Sequence, residues 1–349
     1  MARHLVTLII LAALILGAAL TADWLGIRSI ERIVTHGLIL LILVLGLQVF
    51  MGNSGILSFA HVGFMGIGAY TSAVLTIPIQ MKGMALPELY DSLAGLELSP
   101  YVGMICGGLV AAAVAAVVSY PLMRLSGAAA VITSFALLVV LYTVMTHWSA
   151  VTNGPRTLFG IPQATTLTLA AGVALAALAV ALAFKDSRTG LLLRATRDDE
   201  VAASAIGAHT IQLRWQAFIL SALLAGIGGA LWGHYITSFS PKAFYLRETF
   251  VVLGMLVIGG STTVTGAVIG TFVVTIAFEA LRTAESMINR SGIASDQVVG
   301  LTEFVLAAAM IAVLSLRPGG IFPAREIGHY FTRRTRRGQD VPDSPRSTP

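Results

Sequence analysis

Ten stretches of the chain carry apolar residues with few charges among them. They lie at about 5–20, 33–50, 58–77, 101–123, 128–147, 166–184, 215–236, 247–260, 264–282 and 297–316. A helix needs about 20 residues to cross a bilayer, and most of these runs reach or approach that length. They are continuous, unlike the alternating strands of roughly 10 residues in a membrane barrel. Backbone in lipid must then be satisfied within helices. The pattern predicts an all-α fold, a polytopic transmembrane helical bundle of about 10 spans, some broken or half-helices. The eighth run is short and glycine-rich and is expected to be a half-helix or a broken one. At the first, Arg3 precedes a 16-residue apolar run and "GAALTA" offers small residues for cleavage of a signal. Because the chain returns to apolar sequence at once, a retained anchor is expected.

Composition agrees with the pattern. Of 349 residues, 56% are hydrophobic and 11% charged, against about 25% charged in soluble domains. The net charge of +5 does not point to nucleic acid, because the basic residues sit in the loops and tail that flank the spans. Lys185, Arg188, Arg194, Arg197 and Arg214 belong to one loop, and seven arginines follow Leu316. With ten spans these fall on one side together with Arg3 and Arg124. The positive-inside rule places that side, both termini included, in the cytoplasm. Three parts follow: residues 1–32, an N-terminal span and outer loop; 33–322, a core with a cytoplasmic loop at 185–214; and 323–349, a polar tail expected to be disordered. The tail's basic cluster could also touch membrane lipid. The single cysteine, Cys106, excludes an internal disulfide.

Several chemistries are missing. None of the three lysines, Lys82, Lys185 and Lys242, follows a glycine, so the chain has no phosphate-binding loop and no ATPase motif of its own. "GNSGI" at Gly52 lacks the closing glycine of a nucleophile elbow. The seven histidines show no metal-ligand spacing. No catalytic residues, metal site or bound cofactor are expected, and a membrane enzyme would need a catalytic cluster the sequence does not offer.

The 185–214 loop is richer. In "RTGLLLRATRDDEVAASAIGAHTIQLR", Thr196 and Asp199 have capping-box spacing, and Gly207 can stop the helix that follows. The preceding "TGLLLRATR" suits another short helix with Leu191, Leu192 and Ala195 as its apolar face. Two short helices would make a compact knob, longer than a connection between spans requires.

This segment resembles the coupling loop of ABC importer permeases, approximately E-A-A-x-x-x-G, here Glu200, Val201, Ala202, Ala203 and Gly207. "RLSGAAAVITSFA", "TNGPRTLFGIP", "LSALLAGIGGALWG", "GGSTTVTGAVIGT" and "LRPGGIF" occur in the order found in the LivM-like branched-chain amino acid permease family, and the resemblance covers roughly 35–322. Ala128 and Ala129 stand where the family tends to place an aromatic residue. Asn153 and Pro155 stand where it carries Gly-Gly or Gly-Ser, and both departures bear on the substrate.

The resemblance implies a type II ABC importer-like permease in a bacterial inner membrane. Its partners would be a second related permease, two cytoplasmic ATPase subunits that use the ATP, and a periplasmic substrate-binding protein. The expected cargo is a branched-chain or related hydrophobic amino acid. The alternatives are urea or short amides on the same architecture, and an ion-coupled secondary transporter, which would need more buried carboxylates and no knob. Arg194, Arg197, Asp198, Asp199, Glu200, Ala202, Ala203 and Gly207 are the expected ATPase-coupling residues.

Two segments share a texture of glycine, hydroxyl residues and spaced glycines: Gly52–Gly68 and Gly259–Gly270. They suggest an inverted repeat with broken helices. Gly63, Gly66, Gly259, Gly266 and Gly270 are expected to allow close helix packing. Asn53, Ser54, Ser58, His61 and Thr133 are pathway candidates, as neutral groups able to hydrogen-bond a passing zwitterion. Glu303 joins them as an ionisable residue six positions into the last span, whereas Glu279 lies near enough to a boundary to snorkel.

Overall fold

The computed structural model describes residues 2–291, 300–317, 319–322 and 326–327. Among them the chain is helical, and its only β pairing is an isolated antiparallel bridge between Leu158 and Phe239. In chain order the helices are α1 (Ala2–Leu25), α2 (Arg28–Leu47), α3 (His61–Thr76), α4 (Ile79–Ala85), α5 (Asp91–Ala94), α6 (Pro100–Leu122), α7 (Gly127–His147) and α8 (Ser149–Thr152). Then come α9 (Leu167–Asp186), α10 (Arg188–Asp198), α11 (Glu200–Ala205), α12 (Thr210–Ile236), α13 (Leu246–Gly259), α14 (Val264–Ser291) and α15 (Leu301–Leu316).

Each apolar run forms helix, but among the described residues seven helices are long enough to cross a membrane by length and composition. The other three are α3, α13 and α15, of 16, 14 and 16 residues. At about 1.5 Å per residue they reach roughly 21–24 Å, short of a hydrocarbon core of about 30 Å. The half-helix expected at 247–260 is α13. The run at 58–77 loses its first residues because Gly55–Ala60 are not helical. The 323–349 tail lies outside the described residues apart from Glu326 and Ile327, and Glu326 is buried.

Sequence explains most helix ends. Thr166 caps α9 by accepting from the Leu169 amide, and Ser187 caps α10 through the Gly190 amide. Pro100 starts α6, where its missing N–H costs nothing.

The bundle is built around α2 and α12, whose most apolar windows are 83% and 78% buried, against 28% for α1 and α7. Glycine lets α12 meet α3 and α6 backbone to backbone. A Cβ on Gly68 would lie 2.0 Å from the Gly226 carbonyl oxygen, and one on Gly229 would lie 1.9 Å from that of Met65. A Cβ on Gly107 would lie 2.6 Å from the Gly68 oxygen. Reciprocal side-chain pairs bracket this seam. His61 of α3 meets Ser221 of α12 at one end, and Ser72 of α3 meets His234 of α12 at the other.

At the end of the bundle remote from α10 and α11, connections carry most of the polar bonding. His234 Nδ1 donates to Pro162 O at 2.9 Å, which leaves Nε2 to accept from Ser72 Oγ. The Lys82 ammonium donates to the carbonyls of Leu93 and Leu96, pinning the 86–99 connection. Burial lowers the Lys82 pKa against the opposing charge of Glu97.

Candidate functional site

The other end of the bundle gathers two helix breaks and the α10–α11 knob. At the first break, α2 widens into a π-helical turn over Gln48–Gly52 and the chain leaves the helix at Gly55, with φ 72°. At the second, α13 stops at Gly259, and Gly260–Thr263 turn the chain into α14. The breaks are neighbours, since a Cβ on Gly52 would come within 2.4 Å of Ser261 O. Because both lie at the same end, a two-fold axis in the membrane plane does not exchange them. They are therefore not the matched halves of the inverted repeat that their sequences suggest; such halves would break at opposite ends.

The knob consists of two short helices, but its capping differs from the sequence expectation. Thr196 lies inside α10 and bonds to Leu193 O, so it is not half of a capping box. Asp199 alone caps α11, its Oδ1 accepting from the amides of Val201 and Ala202, each at 2.9 Å. The buried face of α10 is Gly190, Leu193 and Thr196, with Leu192 and Ala195 half-buried and Leu191 exposed. Gly207, at φ 87°, ends α11 in a Schellman turn: its amide donates to Ser204 O and that of Ala208 to Ala203 O, both at 3.0 Å.

The charged residues expected to face outward divide into two groups. Arg194 turns into the bundle, where Nη1 donates to Asn53 Oδ1 at 3.1 Å and to Lys185 O at 2.7 Å. Burial lowers its pKa, and the carboxylates of Asp186 and Glu326 act in the opposite sense. Arg197 donates to Gly52 O at 2.9 Å, and Glu200 pairs with buried Arg214 at 3.0 Å. These three brace the knob against the breaks and the start of α12. Ala203 is buried, whereas Asp198, Asp199, Ala202 and Gly207 are exposed. Val201 and Ile206 are 81% and 74% exposed, and neither is among the coupling residues expected from the sequence. Their signal was available: apolar residues flanking the small ones on a short capped helix.

The pathway candidates do not converge on one cavity. Asn53 is buried, donating to Val49 O at 2.9 Å while accepting from Arg194. Ser54 Oγ accepts from the Ile56 amide. The Ser58 hydroxyl is buried without a hydrogen-bond partner, as are both polar atoms of the Gln48 amide. Ser221 Oγ donates to Gly46 O, so it accepts from His61 Nε2–H, and Nδ1 is left unpaired among apolar neighbours. Thr133 is half-exposed and bonds its own helix at Ala129 O; its neighbour Ser134 is the buried hydroxyl, accepting from the Phe59 amide. Each of the five packing glycines has a close neighbour. Cβ atoms on Gly63 and Gly66 would meet Leu141 and Met145 at 2.6 and 2.5 Å. Cβ atoms on Gly259, Gly266 and Gly270 would meet backbone oxygens at 1.9, 2.4 and 2.1 Å.

Glu303 is not deep in a span. It lies in the first turn of α15 and pairs with Arg247 at 2.8 Å, the two side chains 43% and 64% exposed in the lining of a cavity of about 1000 Å³. Arg32, Arg282 and Arg290 line the same cavity with Glu248 and Glu279. Glu279 lies within α14, 3.9 Å from Arg282. No cluster of potential metal ligands occurs among the described residues.

A family model for branched-chain amino acid transport system / permease component matches residues 29–314. Two similar proteins are the high-affinity branched-chain amino acid transport system permease proteins LivM of Salmonella typhimurium strain LT2 and Escherichia coli K12. Each is 24% identical over 331 residues, covering 85% of this chain and 70% of its own. No solved structure matches the chain. The chain belongs to the branched-chain amino acid transport permease family, a family of transport components, and is a multi-pass membrane protein.

Proposed function

We propose that the chain is one of two permease subunits of an ATP-driven importer for branched-chain or related hydrophobic amino acids. It would pair with a related permease, two ATPase subunits and a substrate-binding protein, and carry the knob and both termini in the cytoplasm. The observation that supports this most is the knob itself. α11 is capped at both ends, the knob presents Val201, Ala202 and Ile206 to solvent, and α10 ties it through Arg194 and Arg197 to the first helix break. An apolar surface of that kind suits a groove on another protein. Rigid caps and charged hydrogen bonds behind it suit the transfer of a displacement. On this reading Val201, Ala202 and Ile206 make the contact, while Arg194, Arg197 and Glu200 hold the lever. The charge-paired cavity at the opposite end opens on the side from which an importer takes its cargo.

The test is reconstitution with the partner permease, ATPases and candidate binding proteins, measuring ATP hydrolysis and uptake together. Leucine, isoleucine or valine carried by its binding protein is expected to stimulate both, whereas stimulation by urea or short amides alone would reassign the cargo. Uptake by the chain alone on an ion gradient would sink the importer reading. Replacing Val201 and Ile206 with aspartate is expected to abolish ATPase docking, measured by co-purification, while leaving the permease folded.

A further inference from the structure

The chain beyond the last helix crosses the second break. The amides of Ile321 and Phe322 donate to Ile258 O and Gly259 O, each at 3.0 Å. Glu326 then enters the core, only 3% exposed. One carboxylate oxygen accepts from the Val264 amide at 2.8 Å and from the Lys185 ammonium. The other accepts from the Thr265 amide at 2.9 Å and from the Thr265 hydroxyl. Lys185, at the last turn of α9, also donates to Thr262 O at 3.1 Å. The Lys185 carbonyl is one of the two acceptors of Arg194, whose other acceptor is Asn53 at the first break.

A carboxylate at a helix N-terminus is an ordinary stabiliser, and Glu326 serves α14 in that way by accepting from the Val264 and Thr265 amides. Thr263 caps a further amide locally, its hydroxyl accepting from that of Gly266 at 3.0 Å. What Glu326 adds beyond a cap is linkage. Through Lys185 it joins the tail, the second break and the end of α9, and through the Lys185 carbonyl it reaches Arg194, the knob and the first break. The cost of burying both charges is then spent on connection.

We propose that Lys185 and Glu326 are positioning residues for energy coupling: they make the second break move with the knob, as Arg194 and Asn53 do for the first. This rests on the reading of the knob as the part that the ATPases displace. The test compares wild type with Glu326→Gln, Lys185→Met and Lys185→Arg in the full complex. Glu326→Gln keeps the shape of the acceptor and loses the charge. Uptake per ATP is expected to fall roughly 2- to 30-fold in Glu326→Gln and Lys185→Met, the range expected when coupling networks are altered. Assembly and stimulated hydrolysis should hold, and Lys185→Arg should recover most of the loss. Spin labels on cysteines at Ala205, exposed on α11, and Ile321, with Cys106 replaced by alanine, supply a readout that does not require transport. One narrow distance is expected in wild type and a broadened one in Glu326→Gln. Wild-type uptake per ATP in an assembled Glu326→Gln complex overturns the proposal. If no complex transports any amino acid, the importer reading fails instead, and the distances decide alone: an unchanged distribution in Glu326→Gln overturns the linkage.

Discussion

Between Leu47 and His61 the chain passes through a π turn and then six residues, Gly55–Ala60, outside regular helix, whereas between Gly259 and Val264 it turns in four. The first break leaves Gln48 and Ser58 buried without partners and leans on side chains of the knob. The second satisfies its helix start twice, through Thr263 and Glu326, and packs glycine on glycine. Residues left in loosened helix with unpaired polar groups have a low cost of rearrangement, because little is lost on moving them. Those locked by short backbone contacts move as a block. The first break thus has the character of a hinge, and the second that of a joint.

The strongest way to break this contrast is steric. Gly259→Leu would drive a side chain into the Gly266 carbonyl and the Gly270 backbone, neither of which can swing aside. The expected result is loss of the folded, membrane-assembled protein, beyond the usual overpacking cost of about 1–3 kcal/mol, read by detergent size-exclusion profile. Gly63→Ala is expected to cost far less, because the atom it meets most closely is the movable end of Leu141, whose Cβ stands next at 3.1 Å, and no backbone atom lies in the way.

Acid probes the joint more gently. Burial alone would raise the Glu326 pKa, but the Lys185 charge and the hydrogen bonds from Lys185 and Thr265 outweigh it, and the folded-state value lies below the ordinary 4.5. A depressed carboxylate stabilises the fold above its unfolded pKa, and that contribution fades as pH falls through the folded value. Thermal stability should therefore be insensitive to this group from neutral pH to about 4.5 and fall below it. Glu326→Gln should remove that acid limb at a cost of roughly 3–5 kcal/mol near neutrality, as when one partner of a buried pair is deleted. An unchanged acid limb in Glu326→Gln would place the responsible carboxylate elsewhere.

The smallest effect is expected at the hinge. Gln48→Leu removes a buried amide that has no partner, so stability should stay the same or rise by about 1 kcal/mol, measured as the melting temperature in detergent. A loss as large as that expected of Glu326→Gln would mean that the first break is as tightly tied as the second.

The helices that form this end were legible in the sequence: the short α13, the stop at Gly207 and the two-helix knob all follow from residues a few positions apart. Thr196 misled because capping-box spacing is shared by any Thr and Asp three apart, and α10 runs on through Thr196 to cap its successor with Asp199 alone. Nothing local to Arg194 and Arg197 shows that they turn inward, because Asn53 and Gly52, which accept from them, belong to another part of the chain. Lys185 registered only as a topological charge. Glu326 lay past the last recognisable motif, in a stretch whose Arg, Pro and Ser content resembles a solvated tail.

The sequence by itself determined that the chain is a helical membrane protein, where its helices run and break, and to which family it belongs. Those properties depend on apolar run length, local capping and glycine placement, which are read over a few turns. Only the tertiary structure decided which polar groups are joined. Arg194 to Asn53 and Lys185 to Glu326 each span 141 residues, and no local period encodes such a pairing. Packing brings them together, and the high cost of an unpaired charge in a buried site holds them there.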